Sequence, residues 1–276
     1  MTRRSVFHAA AAGALAASPA APALKARLKQ SVSRWCYGKM SLDDLCQAAQ
    51  RIGLKGIDLV PSTDWPTVQK YGLVPSMTPG AGTIPDGLNR TENHAGLERE
   101  FRENIARAKA AGVPNVITFS GNRRGQADAE GLENCVTGLN RVKSLAEDAG
   151  ITICLELLNS KVDHKDYQCD HTAWGVEVIR RVGSPRVKLL YDIYHMQIME
   201  GDVIRTIRDN IAHIGHFHTG GVPGRHEIDG TQELNYHAVA EAIVAAGYTG
   251  YLAHEFVPAA KDGIASLEAA AKLCDV

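Results

Sequence analysis

One phrase recurs along this chain: an amphipathic segment, a glycine, then a short apolar run. It closes at Gly53 before residues 56–60, at Gly112 before 116–119 and at Gly150 before 151–155. It returns at Gly183 before 187–191 and at Gly247 before 251–254. Glycine just past a helix end accepts the left-handed backbone without a Cβ clash, so the phrase reads helix, cap, strand. The helices carry their own signals. Ser41-Leu42-Asp43-Asp44 resembles a capping box, and Leu42, Leu45, Cys46, Ala49 and Ile52 then fall on one face. Phe101, Ile105 and Ala108 repeat that spacing, as do Leu132, Cys135, Val136, Leu139 and Val142. Adding segments 30–35, 73–77 and 213–218 gives eight predicted strands alternating with helices, which implies a parallel sheet. With 276 residues, 45% of them hydrophobic, the expectation is a single (β/α)8 TIM barrel. A doubly wound open sheet would want an early glycine-rich phosphate loop, and Gly80-Ala81-Gly82 has no convincing helix after it.

Residues 1–26 do not share the pattern. Arg3-Arg4 precedes an Ala-rich stretch, and Ala21-Pro22-Ala23 offers small residues to a signal peptidase. The segment reads as a twin-arginine export signal, with 27–276 as the barrel and the periplasm as destination. Its apolar run is too short for a membrane span. Removing residues 1–23 leaves 28 Lys+Arg against 31 Asp+Glu, a formal charge of −3. No basic stripe is present, so no nucleic-acid partner is expected. The Arg123-Arg124 pair reads as solvated loop. The six cysteines are scattered without a Cys-x-x-Cys motif, and no disulfide is expected.

Four predicted strands end in a metal-ligating side chain: Glu156, Asp192, His218 and Glu255, spaced 36, 26 and 37 residues apart. Active sites of this fold sit at the C-terminal ends of the strands. Along 152–156 the polar or small residues share one face, which points into the barrel. Three inward carboxylates repel one another unless a cation lies between them. Hard oxygen ligands plus one imidazole suit one Mn²⁺ or Mg²⁺ ion, with Co²⁺ or Zn²⁺ as substitutes. Such an ion polarises a carbonyl and acidifies the neighbouring C–H. Glu156 and Glu255, from different strands, form the natural proton-transfer pair, working through an enediolate.

Three stretches carry a family resemblance: Glu156 to Asn159, the run Tyr191-Asp-Ile-Tyr-His-Met-Gln up to Asp202, and Val222-Pro-Gly-Arg-His-Glu227 with Asn235-Tyr236. They look like hydroxypyruvate isomerase, within the xylose-isomerase-like barrel superfamily of sugar isomerases and epimerases, over roughly residues 28–275. The resemblance implies that Glu156 and Glu255 donate and accept the proton and ligate metal with Asp192. It places His195 beside the substrate oxygens and gives Arg225 the carboxylate or terminal hydroxyl to hold, with Glu227 positioning Arg225. Two departures bear on substrate. Leu157 stands where these isomerases carry proline, and His218 stands where they carry glutamine. A histidine there is typical of ketose 3-epimerases.

The expected function is interconversion of a small hydroxy-carbonyl acid or sugar, of the hydroxypyruvate/tartronate semialdehyde type. A sugar epimerase using the same glutamates is the alternative. A metal-dependent endonuclease would want more histidines and a basic groove, and a sugar-binding protein would have no need of two proton-transfer carboxylates. The ligand-rich segment 163–171 is read as a polar lid, and Trp35 and Trp65 as either an apolar wall or ordinary packing. A homo-oligomer is left open.

Overall fold

The computed structural model describes residues 24–276. The arginine pair and the Ala-rich stretch of the expected export signal lie outside the described residues. Nine strands form one sheet: β1 (Lys29–Ser33), β2 (Gly56–Asp58), β3 (Val74–Pro75), β4 (Thr78–Ala81), β5 (Asn115–Thr118), β6 (Thr152–Glu156), β7 (Val187–Asp192), β8 (Ile214–Thr219) and β9 (Tyr251–His254). Every pairing is parallel, in the order β3-β2-β1-β9-β8-β7-β6-β5-β4. The two outermost strands are consecutive in the chain. β3 and β4 together fill one barrel position, so eight positions ring the axis, as the alternation of elements predicts.

The third position differs in detail from the expected single strand over 73–77. Its first part pairs with β2 and its second with β5. Side chains stitch the seam between them: Asn115 Nδ2 donates to the Ser76 carbonyl at 2.9 Å, and Thr78 Oγ1 donates to the Val60 carbonyl at 2.9 Å. Pro79 and Gly80 disguise β4 as a turn. Gly80 is there for contact, since a Cβ on it would lie 2.4 Å from the Ile117 carbonyl oxygen.

The glycines that end the recurring phrase all adopt left-handed φ, from 65° at Gly183 to 98° at Gly53. Ser41 caps the helix Leu42–Ile52 by accepting from the Asp44 N–H. The apolar faces of the helices close on the outside of the sheet, against Val32, Ile57, Val116, Ile153, Leu155, Leu189, Phe217 and Leu252. A separate small cluster of Met77, Ile117, Cys154 and Leu190 fills the barrel lumen. Strand alternation explains the division, because successive residues face helix and lumen in turn. Burying each large aliphatic side chain contributes roughly 2 kcal/mol. All six cysteines are free thiols. Leu24 packs on the outer core, and the N–H groups of Lys25 and Ala26 donate to the Asp275 carboxylate, tying the two ends of the described chain together. Among the described residues no helix is long and apolar enough to cross a membrane.

The seam makes a direct claim on stability. Gly80→Ala is expected to lower it by about 2 kcal/mol, the range for overpacking. Gly96→Ala in the helix His94–Ala111, where the new Cβ meets nothing nearer than Arg99 Nη2 at 3.9 Å, is expected to raise it by up to about 1 kcal/mol. Urea unfolding of the two variants checks both signs.

Candidate active site

The barrel brings the four strand-end side chains together. Glu156 and Asp192 end β6 and β7, His218 lies in β8, and Glu255 follows β9. The β7–β8 register sets Asp192 directly beside His218. One ligand atom from each of the four lies within 4.8 Å of the others, and all four residues are buried. His218 Nδ1 is 2.6 Å from Glu255 Oε2, 3.3 Å from Glu156 Oε1 and 3.8 Å from Asp192 Oδ2. Asp192 also caps the helix Ile193–Met199, its Oδ1 accepting from the His195 N–H at 3.1 Å. That bond holds its second oxygen toward the cluster.

Charge in so small a volume shifts every group. Burial, with Glu255 and Asp192 nearby, pushes the Glu156 carboxyl up to about 7 against the opposing pull of His218. Burial also raises Asp192, although Arg225 opposes it. Burial would raise Glu255 too, but the His218 and Arg225 cations outweigh it and hold Glu255 well below the usual carboxylate range. Burial opposes a charge on His218, yet Glu255, Asp58 and Glu156 raise its pKa well above the ordinary value. The residues fit a hard divalent cation. His218 Nδ1 is buried, makes no aligned hydrogen bond and faces three carboxylates. A cation there meets a ready ligand set of oxygen atoms and one imidazole nitrogen.

His195 and Arg225, which the resemblance placed at the substrate, border the same cluster. His195 Nδ1 accepts from the Asn159 N–H at 3.1 Å, and burial together with Arg225 and His164 keeps the ring neutral. Arg225 adopts a left-handed backbone, φ 58°. Its guanidinium lies over the Tyr194 and Trp35 rings, donates to Asp192 Oδ2 at 2.7 Å and to Glu255, and sits 2.6 Å from His195 Nε2. A non-glycine residue in that region is strained, and the stacking and ion pairs of its side chain hold it there.

Other expectations need correction. Glu227 does not touch Arg225. It accepts from the Ala259 and Ala260 N–H groups and from Ser266 Oγ, pinning the loop that follows Glu255. Trp65 is core, its indole N–H donating to the Val60 carbonyl. Trp35 is 49% exposed and donates its indole N–H to Glu255 Oε1 at 2.6 Å, a polar contact beyond the apolar wall expected of it. Arg123 is no solvated loop residue: it pairs with Asp170 at 2.9 Å and Asp128 at 2.7 Å, anchoring the segment read as a lid. Asp163 of that segment accepts from Asn159 Nδ2 and the Tyr194 hydroxyl. Asp58, at the end of β2, went unnoticed in the sequence. It is a buried carboxylate in a short apolar run, and Oδ2 lies 2.9 Å from His218 Nε2.

Above the cluster opens a cleft of about 780 Å³, walled by Leu59, Pro79, Ile84, Pro85 and Phe119 and floored by Glu156, His195, Arg225 and Glu255. The fit to a cation is testable without substrate. Mn²⁺ in hundredfold excess over its dissociation constant is expected to stabilise the protein by about 2.7 kcal/mol relative to EDTA. Asp192→Asn is expected to remove most of that gain, read as the shift in melting temperature.

Comparison with known proteins bears on the family and the fold. Residues 46–273 match the xylose isomerase-like TIM barrel family. A 2-oxo-tetronate isomerase of Cupriavidus necator is 35% identical over 174 residues, covering 60% of this chain and 65% of its own length. The putative hydroxypyruvate isomerase of Homo sapiens is 27% identical over 233 residues, covering 81% and 77%. Among solved structures, an AP endonuclease, family 2, from Brucella melitensis superposes with TM-score 0.75 at 23% identity, over 87% of this chain and 96% of its own. A D-psicose 3-epimerase superposes with TM-score 0.69 at 18% identity, over 90% and 96%. At those identities the structures speak for fold alone. The chain belongs to the xylose isomerase-like TIM barrel family.

Proposed function

We propose that this protein is a divalent-metal-dependent isomerase of a small hydroxy-carbonyl acid or sugar, of the kind that interconverts hydroxypyruvate and tartronate semialdehyde. One observation carries the reading: two buried glutamates from different strands, Glu156 and Glu255, converge with Asp192 and His218 on a single point in the floor of a cleft. The isomerase relatives support it. Mn²⁺ or Mg²⁺ held by these four side chains would polarise the substrate carbonyl and acidify the adjacent C–H. The glutamates differ in electrostatic setting, which suits opposite roles. Glu255, whose carboxylate accepts from the Trp35 indole and pairs with Arg225, is placed to take the proton from carbon. Glu156, which bonds to neither of those donors, is placed to deliver one to the neighbouring carbon as the enediolate collapses. Trp35 steadies the Glu255 carboxylate, and His195 and Arg225 orient the substrate oxygens.

A second reading is a ketose 3-epimerase, in which the two glutamates work on opposite faces of one carbon. The size of the cleft favours it, since about 780 Å³ suits a ligand much larger than a three-carbon acid. So does the histidine at position 218. The test for both is isotope uptake. With Mn²⁺ in D₂O, a panel of hydroxypyruvate and ketoses is expected to show α-proton exchange for the true substrate, and product analysis separates isomerase from epimerase. Glu156→Gln and Glu255→Gln are each expected to lower turnover by at least about a hundredfold, the scale of lost acid–base catalysis. Unchanged exchange in both variants sinks the two-glutamate mechanism, and nicking of abasic DNA would favour an endonuclease.

We also propose export through a twin-arginine pathway, on the strength of Arg3, Arg4 and the small-residue stretch after them. A fusion of residues 1–30 to a reporter is expected to reach the periplasm, and Arg3→Lys with Arg4→Lys to keep it in the cytoplasm.

A further inference from the structure

Asp58 lies outside the four-residue cluster and takes no part in the proton transfer proposed above. It ends β2 and is wholly buried. Its Oδ1 accepts from Ser76 Oγ at 2.6 Å and lies 3.1 Å from His216 Nε2, and its Oδ2 lies 2.9 Å from His218 Nε2. Among the described residues its ion-pair partners are these two imidazoles, and no lysine or arginine side chain bonds to it. A carboxylate taken out of water is costly unless its oxygens are bonded, so its position calls for an explanation.

Hydrogen-bond logic supplies one. An ionised carboxylate only accepts, so the close contact with Oδ2 requires the proton of His218 to sit on Nε2. In a neutral imidazole that leaves a lone pair on Nδ1, the atom that faces Glu156, Asp192 and Glu255. A lone pair turned toward three carboxylates is repulsive by itself and becomes a ligand set around a cation. Metal-bound histidines commonly owe their tautomer and ring orientation to such an outer carboxylate.

We propose that Asp58, braced by Ser76, is the positioning residue that holds His218 with its proton on Nε2 and its Nδ1 lone pair aimed at the ion. The inference rests on the metal-site reading. A competing arrangement exists on the same atoms: Asp58, His216 and His218 also bring ligand atoms within 4.8 Å of one another. Full burial of all three, their absence from the cleft wall and the engagement of both Asp58 oxygens disfavour a second ion there.

Metal titration and histidine spectroscopy decide. Wild-type protein is expected to bind one Mn²⁺ per chain by calorimetry. Asp58→Asn is expected to fold, by circular dichroism in EDTA, and to bind Mn²⁺ about 10–100-fold more weakly. Ser76→Ala, which removes only the brace on Oδ1, is expected to weaken binding by less than about tenfold, since one neutral hydrogen bond is at stake. In Mg²⁺-loaded, ¹⁵N-histidine-labelled wild type, the His218 N–H signal is expected at Nε2, and a purely structural Asp58 would not move that signal on substitution. Wild-type affinity in Asp58→Asn, or a His218 proton on Nδ1 in wild type, overturns the proposal. Two Mn²⁺ per wild-type chain overturns it in favour of Asp58 as a ligand. If Asp58→Asn does not fold, the wild-type spectrum and stoichiometry still decide. A wild type that takes up no Mn²⁺ fails at the metal-site reading itself, and the inference falls with it.

Discussion

Three buried carboxylates and one imidazole share a space less than 5 Å across at one end of the barrel, and much of the surrounding structure answers to that concentration of charge. Left unbalanced, it would be costly in so dry an environment. The molecule surrounds it with donors: the Trp35 indole, the Arg225 guanidinium and the His195 backbone each bond to a carboxylate of the cluster. Beneath it, Asp58 takes the opposite side of the His218 ring. The Glu156 and Glu255 pKa values are driven in opposite directions by this setting.

Placement of that charge depends on the regularity of the sheet below. Parallel registers between β6, β7, β8 and β9 deliver a side chain to the same rim each time. The lumen beneath is plugged by Met77, Ile117, Cys154 and Leu190, which keeps the floor of the cleft firm. The wall is less regular. The barrel position split between β3 and β4 turns Pro79 and Gly80 toward the cleft. The Arg123–Asp170 pair anchors the segment 163–171, whose Asp163 and His164 line the cleft beside His195. Arg225 comes from a loop and His195 from a helix start, while the strand ends carry the groups that gather charge, in keeping with active sites at this end of the fold.

Legibility followed the same division. The helix-cap-strand phrase exposed most of the barrel because glycine at a left-handed cap and alternating apolar runs are local properties. Glu156, Asp192, His218 and Glu255 were visible because each ends an apolar strand, where a charged or ligating side chain stands out. β4 was hidden by its own Pro79 and Gly80, since the close approach to Ile117 that demands a glycine cannot be read from neighbours in sequence. Asp58 was passed over for a similar reason. It resembles any strand-end acid until the His216 and His218 rings are seen on its oxygens. Glu227 and Arg123 were misjudged because long polar side chains choose partners by distance in space, and both found theirs in remote segments.

The amino-acid sequence by itself determined the (β/α)8 alternation, most of the strands that form it and the four side chains at their ends, because backbone preference and side-chain parity act over a few residues. Only the tertiary structure decided that Trp35 bonds to Glu255 while Trp65 packs in the core, that Arg225 lies across Asp192 and Glu255, and that Asp58 lies behind His218. These contacts join segments up to 220 residues apart. They are set by how the ring of strands closes, a property of the whole chain that no local pattern records.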